Sequence, residues 1–384
     1  MQFEFATAGR IIFGAGKLRE IGPIAKSFGG RALVVTGKDG RRAEPLLRIL
    51  KEQRVEAVTF SVSGEPEIQT VRDGVALAKK ENCDWVIGIG GGSVLDAGKA
   101  IAAMMANEGD VLDYLEIIGR GKALAKKPAH FVAIPTTAGT GSEVTRNAVL
   151  ASPGHKLKVS LRSPLMLPEI ALVDPELTYD LPPRITASTG LDALTQLIEP
   201  YVCLRANPIT DSLCLEGMQR VARSFRQAFA NGNGVEAREN MAVASLLGGI
   251  ALANAGLGAV HGFAGPIGGM FSAPHGEICA ALLANVMEAN LRALRERDER
   301  SYAMDRYYYV ARLLTRDDHA TADAGIEWVR GLVKDFGIPR LGSHGIKPEH
   351  ADEIVKNAMN ASSMKANPIV LTAEELKEVL LKAI

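Results

Sequence analysis

Three consecutive glycines, Gly90-Gly91-Gly92, followed by Ser93-Val94-Leu95-Asp96, stand directly after the apolar run Trp85–Ile89. Glycines at such a junction let backbone N–H groups approach a diphosphate closely, and the helix after them offers its positive end. An ordinary tight turn would use fewer of them. The spacing is not GxGxxG, so a standard dinucleotide-binding half is not implied. A second small-residue loop, Pro135-Thr136-Thr137-Ala138-Gly139-Thr140-Gly141-Ser142-Glu143, also comes after an apolar run. Its hydroxyls suit hydrogen bonding to a ribose or a nicotinamide amide. Two such loops at the carboxyl ends of two strands strengthen each other, because open α/β sheets bind ligands there.

A different chemistry is spaced more widely. Asp192 and Gln196 in Gly190-Leu191-Asp192-Ala193-Leu194-Thr195-Gln196 are four apart and share a helix face. His261 and His275, two of the seven histidines, lie in Gly-rich apolar surroundings. A carboxylate and two imidazoles suit a divalent transition metal. Lone histidines among apolar residues are more often satisfied core residues, so these donors alone leave both readings open.

The elements that must position these residues fall into two halves. Ala32–Thr36, Ala57–Ser61, Trp85–Ile89, Phe131–Ile134 and Ile170–Val173 read as short buried strands. Pro45–Gln53, Glu67–Lys80 and Val94–Ala106 read as the helices between them. Such alternation predicts a parallel sheet covered on both faces. After Pro182-Pro183 the sequence reads almost entirely as helices, including Ala187–Leu204, Pro208–Ala230, Ala237–Asn254, Ile278–Leu294, Ala322–Asp335 and Ala373–Ala383. The expected organisation is an α/β dinucleotide-binding domain over 1–183 and a helical metal-binding domain over 184–384, with a site in the cleft between.

The chain has 384 residues with 44 Lys+Arg against 44 Asp+Glu, so no global field draws it to nucleic acid or anionic lipid. Four cysteines form no CxxC and fit a reducing cytosol. Residues 241–276 contain no Asp, Glu, Lys or Arg, and Met241–Val260 has the length of a membrane span. Its Gly/Ala richness and Asn254 fit a buried helix lining a site better.

With these motifs assembled, the chain resembles the iron-containing (group III) alcohol dehydrogenases. The likeness runs from Phe5 and Ile12-Phe13-Gly14-Ala15-Gly16 to Asn367-Pro368. It is carried by GGGSVLDAGK (90–99), PTTAGTGSEVT (135–145), GLDALTQLIE (190–199), ALANAGLGAVHG (251–262) and His275-Gly276. The resemblance implies an NAD- or NADP-linked, metal-dependent enzyme acting on a small alcohol or aldehyde, in a homo-oligomer such as a dimer. It makes Gly91, Gly92, Ser93 and Asp96, and Thr136, Thr137, Thr140, Ser142 and Lys158, candidate cofactor contacts. It puts Asp192, His261 and His275 on metal-ligand positions, with iron or zinc as the metal.

Three departures stand out. Gln196 occupies the place of a fourth, histidine ligand; its amide oxygen is a candidate weak fourth metal donor or a hydrogen-bond partner to metal-bound water, and a three-ligand zinc site is expected at least as much as an iron one. Gly265 stands where many members carry a second histidine suited to proton relay. Gly64-Glu65-Pro66 stands where Pro-Asn-Pro is common. After the first strand, Gly37 removes a carboxylate that would repel a 2′-phosphate, while Lys38, Arg41 and Arg42 supply cations; Asp39 argues a little for NAD. Phe263, Met270 and Phe271 hint at an apolar wall for an uncharged substrate. Related chemistries are reduction of a carbon–carbon double bond, as in maleylacetate reductase, and a 3-dehydroquinate synthase type of reaction. The charge-free 241–276 segment argues against the second. A non-catalytic descendant is the remaining alternative.

Overall fold

The computed structural model describes residues 2–384. Two compact units divide the chain. One comprises residues 6–137 and 141–179; the other comprises the residues up to Phe5, Ala138–Thr140 and Asp180–Ile384.

The first unit is built on a parallel six-stranded sheet in the order β1-β8-β5-β4-β2-β3. Its strands are β1 (Arg10–Phe13), β2 (Arg31–Gly37), β3 (Glu56–Val62), β4 (Trp85–Gly90), β5 (Phe131–Pro135) and β8 (Ile170–Val173). Strands β4, β5 and β8 are buried along their whole length. They are apolar at every position because each face is covered. Ala32, Val34, Trp85, Ile87, Val132 and Ile134 enter one core, with Leu46 and Leu50 of α2 (Glu44–Glu52) and Ile21 of α1 (Ile21–Phe28). The alternate residues Leu33, Val35, Val86, Phe131 and Ala133 enter the other, with Val71 of α3 (Ile68–Lys80) and Leu95 and Ile101 of α4 (Gly92–Ala106). A short helix α5 (Val111–Tyr114) and an antiparallel hairpin of β6 (Asn147–Ser152) and β7 (Leu157–Arg162) complete this unit.

The second unit is helical: α6 (Pro183–Val202), α7 (Pro208–Ala230), α8 (Val235–Asn254), α9 (Ala259–Met270), α10 (His275–Arg297), α11 (Tyr302–Thr315), α12 (Ala322–Asp335), α13 (Ala351–Asn360) and α14 (Ala373–Ala383). From Gly190 onward α6 is buried on every side. Polar residues along it therefore need partners from the surrounding helices. Buried Arg306 of α11 forks onto both carboxylate oxygens of Asp211 (2.6 and 2.5 Å) and also donates to the Tyr201 carbonyl, tying α11 to α6 and α7.

The five expected strands and nine expected helices all form, with ends moved by a few residues. The sequence reading omitted β1, the β6–β7 hairpin, α1, α9, α11 and α13. One expectation needs correction: Met241–Val260 is not a single helix. Helix α8 stops at Asn254, Gly256 takes φ +127°, and α9 leaves at 95° to it. Among the described residues no single helix is long and apolar enough to cross a membrane.

A buried charge cluster braces the second small-residue loop. Lys99 of α4 donates to the Ser142 carbonyl (3.0 Å) and to Thr145 Oγ1 (2.9 Å), and pairs with Asp96 at 3.1 Å. Glu143 lies beside it, and burial pushes its carboxyl up to about 7, with Lys99 offsetting only part of that. The folded state thus holds a proton that the unfolded chain releases above the ordinary value of 4.5. Stability from this group falls as pH rises from there to about 7 and is flat beyond. At about 1.4 kcal/mol per unit, Glu143→Gln should match the wild type near pH 4.5 and exceed it at pH 8 by up to about 3 kcal/mol. Thermal denaturation of both proteins across that range checks it; equal pH slopes would contradict the assignment.

Candidate metal and nucleotide sites

Asp192, Gln196 and Glu199 succeed one another at four and three residues along buried α6, so one stripe carries all three. Helix α9 brings His261 in its first turn, and α10 begins at His275, with Cys279 one turn later on the same face. The approach of α10 to α6 is tight. A Cβ on Gly276 would meet the Ser188 carbonyl oxygen at 2.4 Å, so only glycine allows His275 to sit where it does.

Glu199 sets the start of α9. Its Oε1 accepts the Val260 N–H at 2.7 Å, and Asn367 Oδ1 accepts the Ala259 N–H at 3.1 Å. Two N–H groups that the helix leaves unpaired are thereby satisfied. Gly258 precedes them because a Cβ there would lie 2.9 Å from both acceptors. Glu199 Oε2 lies 2.6 Å from His261 Nδ1. A carboxylate only accepts, so Nδ1 carries a proton and Nε2 is the nitrogen that faces inward.

The inward atoms converge. His261 Nε2 and His275 Nε2 lie 3.5 and 3.6 Å from Asp192 Oδ1, and the ligating atoms of Asp192, His261, His275 and Cys279 all fall within 4.8 Å of one another. Asp192 Oδ1 and Gln196 Oε1 are buried and accept no hydrogen bond from any described residue. Buried oxygens are rarely left so. The spacings are too long for good hydrogen bonds and suit donors around one cation. The residues therefore fit a divalent metal. Burial alone would raise the Asp192 carboxyl, but His275 and His261 outweigh it and hold it below its ordinary value. At His261 burial disfavours the imidazolium, yet the facing Cys279, Glu199 and Asp192 more than offset it and raise the basicity well above the usual level. His275 is raised by the same balance, through Cys279 and Asp192.

Glu199 and Cys279 escaped the sequence reading. The signals were present: a carboxylate three residues beyond Gln196 on the same stripe, and a cysteine four residues after a candidate ligand. The expected apolar wall is corrected in part. Phe263 is fully buried in the helical core, and Phe271 packs against the His350 ring at 5.1 Å. Gly265 has nothing within 4 Å of where a Cβ would stand.

In the sheet unit, β2, β4 and β5 are neighbours, so Gly37, Gly90 and Pro135 end adjacent strands at the same edge. Strand order reverses between β2 and β4, the kind of switch point where such sheets bind ligands. Gly91 is extended and caps α4 with no side-chain hydrogen bond; the Val94 and Leu95 N–H groups donate to its carbonyl (3.0 and 3.1 Å), which leaves those of Gly92 and Ser93 open toward an anion. Gly90 cannot be larger, since Val94 would lie 2.6 Å from its Cβ. The Thr136 N–H donates to the Gly90 carbonyl (2.9 Å), joining the two loops, and Thr137 stands 3.5 Å from the position of a Gly91 Cβ. This glycine-lined, uncapped helix end fits a nucleotide diphosphate. Ser93 lies in that first turn.

Asp96 and Ser142 meet each other: Ser142 Oγ donates to Asp96 Oδ1 (2.5 Å), while Asp96 Oδ2 accepts the Val149 N–H (3.0 Å). Lys158 is buried and pairs with Glu65 at 3.0 Å. Thr140 belongs to the helical unit, where Gly139 packs against Thr189 too closely for a side chain. Of the cations after β2, Lys38 is exposed, Arg41 is bound to Asp39 (Nε–Oδ1 2.6 Å), and Arg42 donates to the Leu177 carbonyl (2.7 Å).

Comparison with known proteins gives a consistent picture. Residues 8–175 match the sequence model "Iron-containing alcohol dehydrogenase", and residues 186–384 match "Fe-containing alcohol dehydrogenase family, C-terminal". The chain is 35% identical to choline dehydrogenase of Bacillus subtilis over 95% of its length and 90% of the relative's. It is 33% identical to the NAD-dependent methanol dehydrogenase of Bacillus methanolicus, over 97% of both chains. A crystal structure of 1,3-propanediol oxidoreductase superposes with a TM-score of 0.93 at 34% identity, covering the whole of each chain. With both halves matched and the glycine turn and Asp–His–His cluster formed, the chain belongs to the iron-containing alcohol dehydrogenase family.

Proposed function

We propose that the chain is a zinc- or iron-dependent alcohol dehydrogenase and aldehyde reductase for small substrates, cytoplasmic and homodimeric, using NADP(H) at least as well as NAD(H). Its family makes it an oxidoreductase acting on CH–OH groups. The observation that carries the metal-dependent reading is the convergence of His261 and His275 Nε2 on the buried Asp192 Oδ1 at distances too long for good hydrogen bonds. Asp192, His261 and His275 would hold the metal. When bound, the metal would supply Lewis-acid chemistry toward the substrate oxygen, and the nicotinamide cofactor would supply hydride chemistry at the carbon.

The chain's own groups do the rest. Glu199 keeps the proton on His261 Nδ1 and so keeps Nε2 a donor of electrons. The open N-terminus of α4 binds the diphosphate, and Thr136 holds that turn to β5. One carboxylate oxygen and two imidazoles are a set that catalytic zinc uses, and Gln196 is a poorer donor than the imidazole iron would favour. All four cysteines are free, in keeping with a reducing compartment.

Exhaustive chelation, verified by elemental analysis, should abolish turnover, and zinc should restore it. His275→Ala should do the same irreversibly while nucleotide binding, followed by fluorescence titration, persists. Full activity in verified metal-free enzyme would end the metal-dependent reading. Glu199→Gln keeps the oxygen for Val260 but presents an amide N–H to His261 Nδ1. We expect metal affinity and kcat/KM to fall about 10–100-fold with the fold retained by circular dichroism. Unchanged metal affinity would remove Glu199 from its role.

At the nucleotide end, Gly37 has open space around its Cβ position, so an aspartate fits without strain. A charge-assisted contact is worth about 1.5–3 kcal/mol, so Gly37→Asp should shift the NADPH:NADH ratio of kcat/KM toward NADH by roughly tenfold or more. A wild type already strongly selective for NADH, and indifferent to the change, would rule out the NADP(H) assignment.

A further inference from the structure

We propose that Cys279 is the fourth protein donor of the metal centre, in the role the sequence suggested for Gln196, and that its sulfur biases the site toward zinc. This rests on the metal-dependent reading above and adds a ligand to it. Cys279 is fully buried, and its Sγ lies 3.7 Å from His275 Nε2 and 4.0 Å from His261 Nε2. Those two nitrogens lie 3.6 and 3.5 Å from Asp192 Oδ1.

A tetrahedral zinc ion with N and O donors near 2.05 Å and sulfur near 2.3 Å requires donor separations of about 3.4 Å for N–O and about 3.6 Å for N–S. The four distances fit that pattern: the sulfur edges are the longer ones, three distances lie within about 0.2 Å of the ideal, and the Sγ–His261 edge at 4.0 Å is about 0.4 Å long. A buried cysteine that only fills space needs no relation to neighbouring lone pairs. Here the sulfur faces both Nε2 atoms, and backbone fixes it there. His275 and Cys279 are one turn apart on α10, and Gly276 presses that turn against Ser188, so histidine and thiol reach the centre together.

Chemistry separates the two candidates for the fourth place. Zinc-bound cysteine is a thiolate, a charged and soft donor, whereas the Gln196 amide oxygen is neutral and hard. Thiolate sulfur favours zinc over iron(II) more strongly than carbonyl oxygen does. Zinc also tolerates a fifth ligand, so four protein donors leave room for substrate oxygen. Gln196 Oε1 is then available to accept a hydrogen bond.

Cobalt(II) in place of the native metal reports sulfur directly, through an intense thiolate-to-cobalt charge-transfer band in the near ultraviolet. The full-length chain loaded with one equivalent of cobalt should show the band; Gln196→Ala should keep it; Cys279→Ala and Cys279→Ser should lose it. Competition between zinc and iron(II) should show a smaller zinc preference in both Cys279 variants than in the wild type. X-ray absorption at the zinc edge of the wild type, which needs no variant to fold, should contain a Zn–S distance of about 2.3 Å. Stoichiometric metal with no sulfur in its shell, or a band that survives in Cys279→Ala, would overturn the Cys279 assignment and leave the Asp–His–His centre standing. Wild type that binds neither zinc, cobalt nor iron would overturn both.

Discussion

The Glu199 carboxylate is the contact on which the metal centre depends. One oxygen closes the N-terminus of α9 and the other orients His261, so a single buried group decides where the helix starts and which ring nitrogen faces inward. Nothing in α9 could do this alone. Residues 241–276 contain no charged side chain, and the helix begins without a capping residue of its own. The first turn of such a helix needs outside acceptors, and Glu199 and Asn367 are those acceptors. Asn367 Nδ2 donates in turn to Asn290 Oδ1 of α10 at 2.7 Å. Helices α6, α9 and α10 are thus linked through polar contacts that meet at the start of α9. Hydrogen bonds to a charged group are worth about 1.5–3 kcal/mol each and cost more to leave half-made, which is why this part of the core is specified so tightly.

In the sheet unit glycine plays the corresponding part. A side chain does not fit at Gly90, the end of β4, because Val94 packs directly over it, nor at Gly98 within α4, where Phe131 lies 2.7 Å from the Cβ position. Close seating of α4 on the sheet brings its uncapped end to the carboxyl edge of β4, beside Gly37 and Thr136. Asp96 and Ser142 then act mainly on each other and on β6, holding the second loop to the first. The side chains behind this turn keep its backbone N–H groups in place.

Much of this was legible in the residues. Strands buried on both faces announce themselves as short apolar runs, and the glycines at 90–92 mark the turn from β4 into α4. Asp192 and the two histidines were visible as a donor set because few polar residues interrupt the surrounding apolar sequence. The parts that stayed hidden depend on tertiary contact. Helix α9 carries Gly262, Gly265, Gly268, Gly269 and Pro266 and has weak intrinsic helix preference, so packing and the Glu199 cap form it. Strand β1 is four residues long and begins with Arg10, too short for a periodic signal; its register against β8 defines it instead. Glu199 looked like one more helix carboxylate until its two oxygens found α9, and Cys279 looked like core until its sulfur was measured against two nitrogens.

A ligand set is a condition on where donor atoms converge, and no single helix has to supply a given number of them. The centre can therefore depart from its family without losing its logic. Helix α6 offers Asp192 and, where an imidazole is usual, only an amide. Helix α10 offers His275 and, one turn on, a sulfur at ligand distance from both imidazoles. Moving a donor from α6 to α10 leaves the cluster compact because Gly276 lets the two helices touch. It changes the softness of the site while preserving its position. The carboxylate and both imidazoles, together with the Glu199 contact that aims one of them, hold the cluster together, since Asp192 Oδ1 is buried and both Nε2 atoms converge on it.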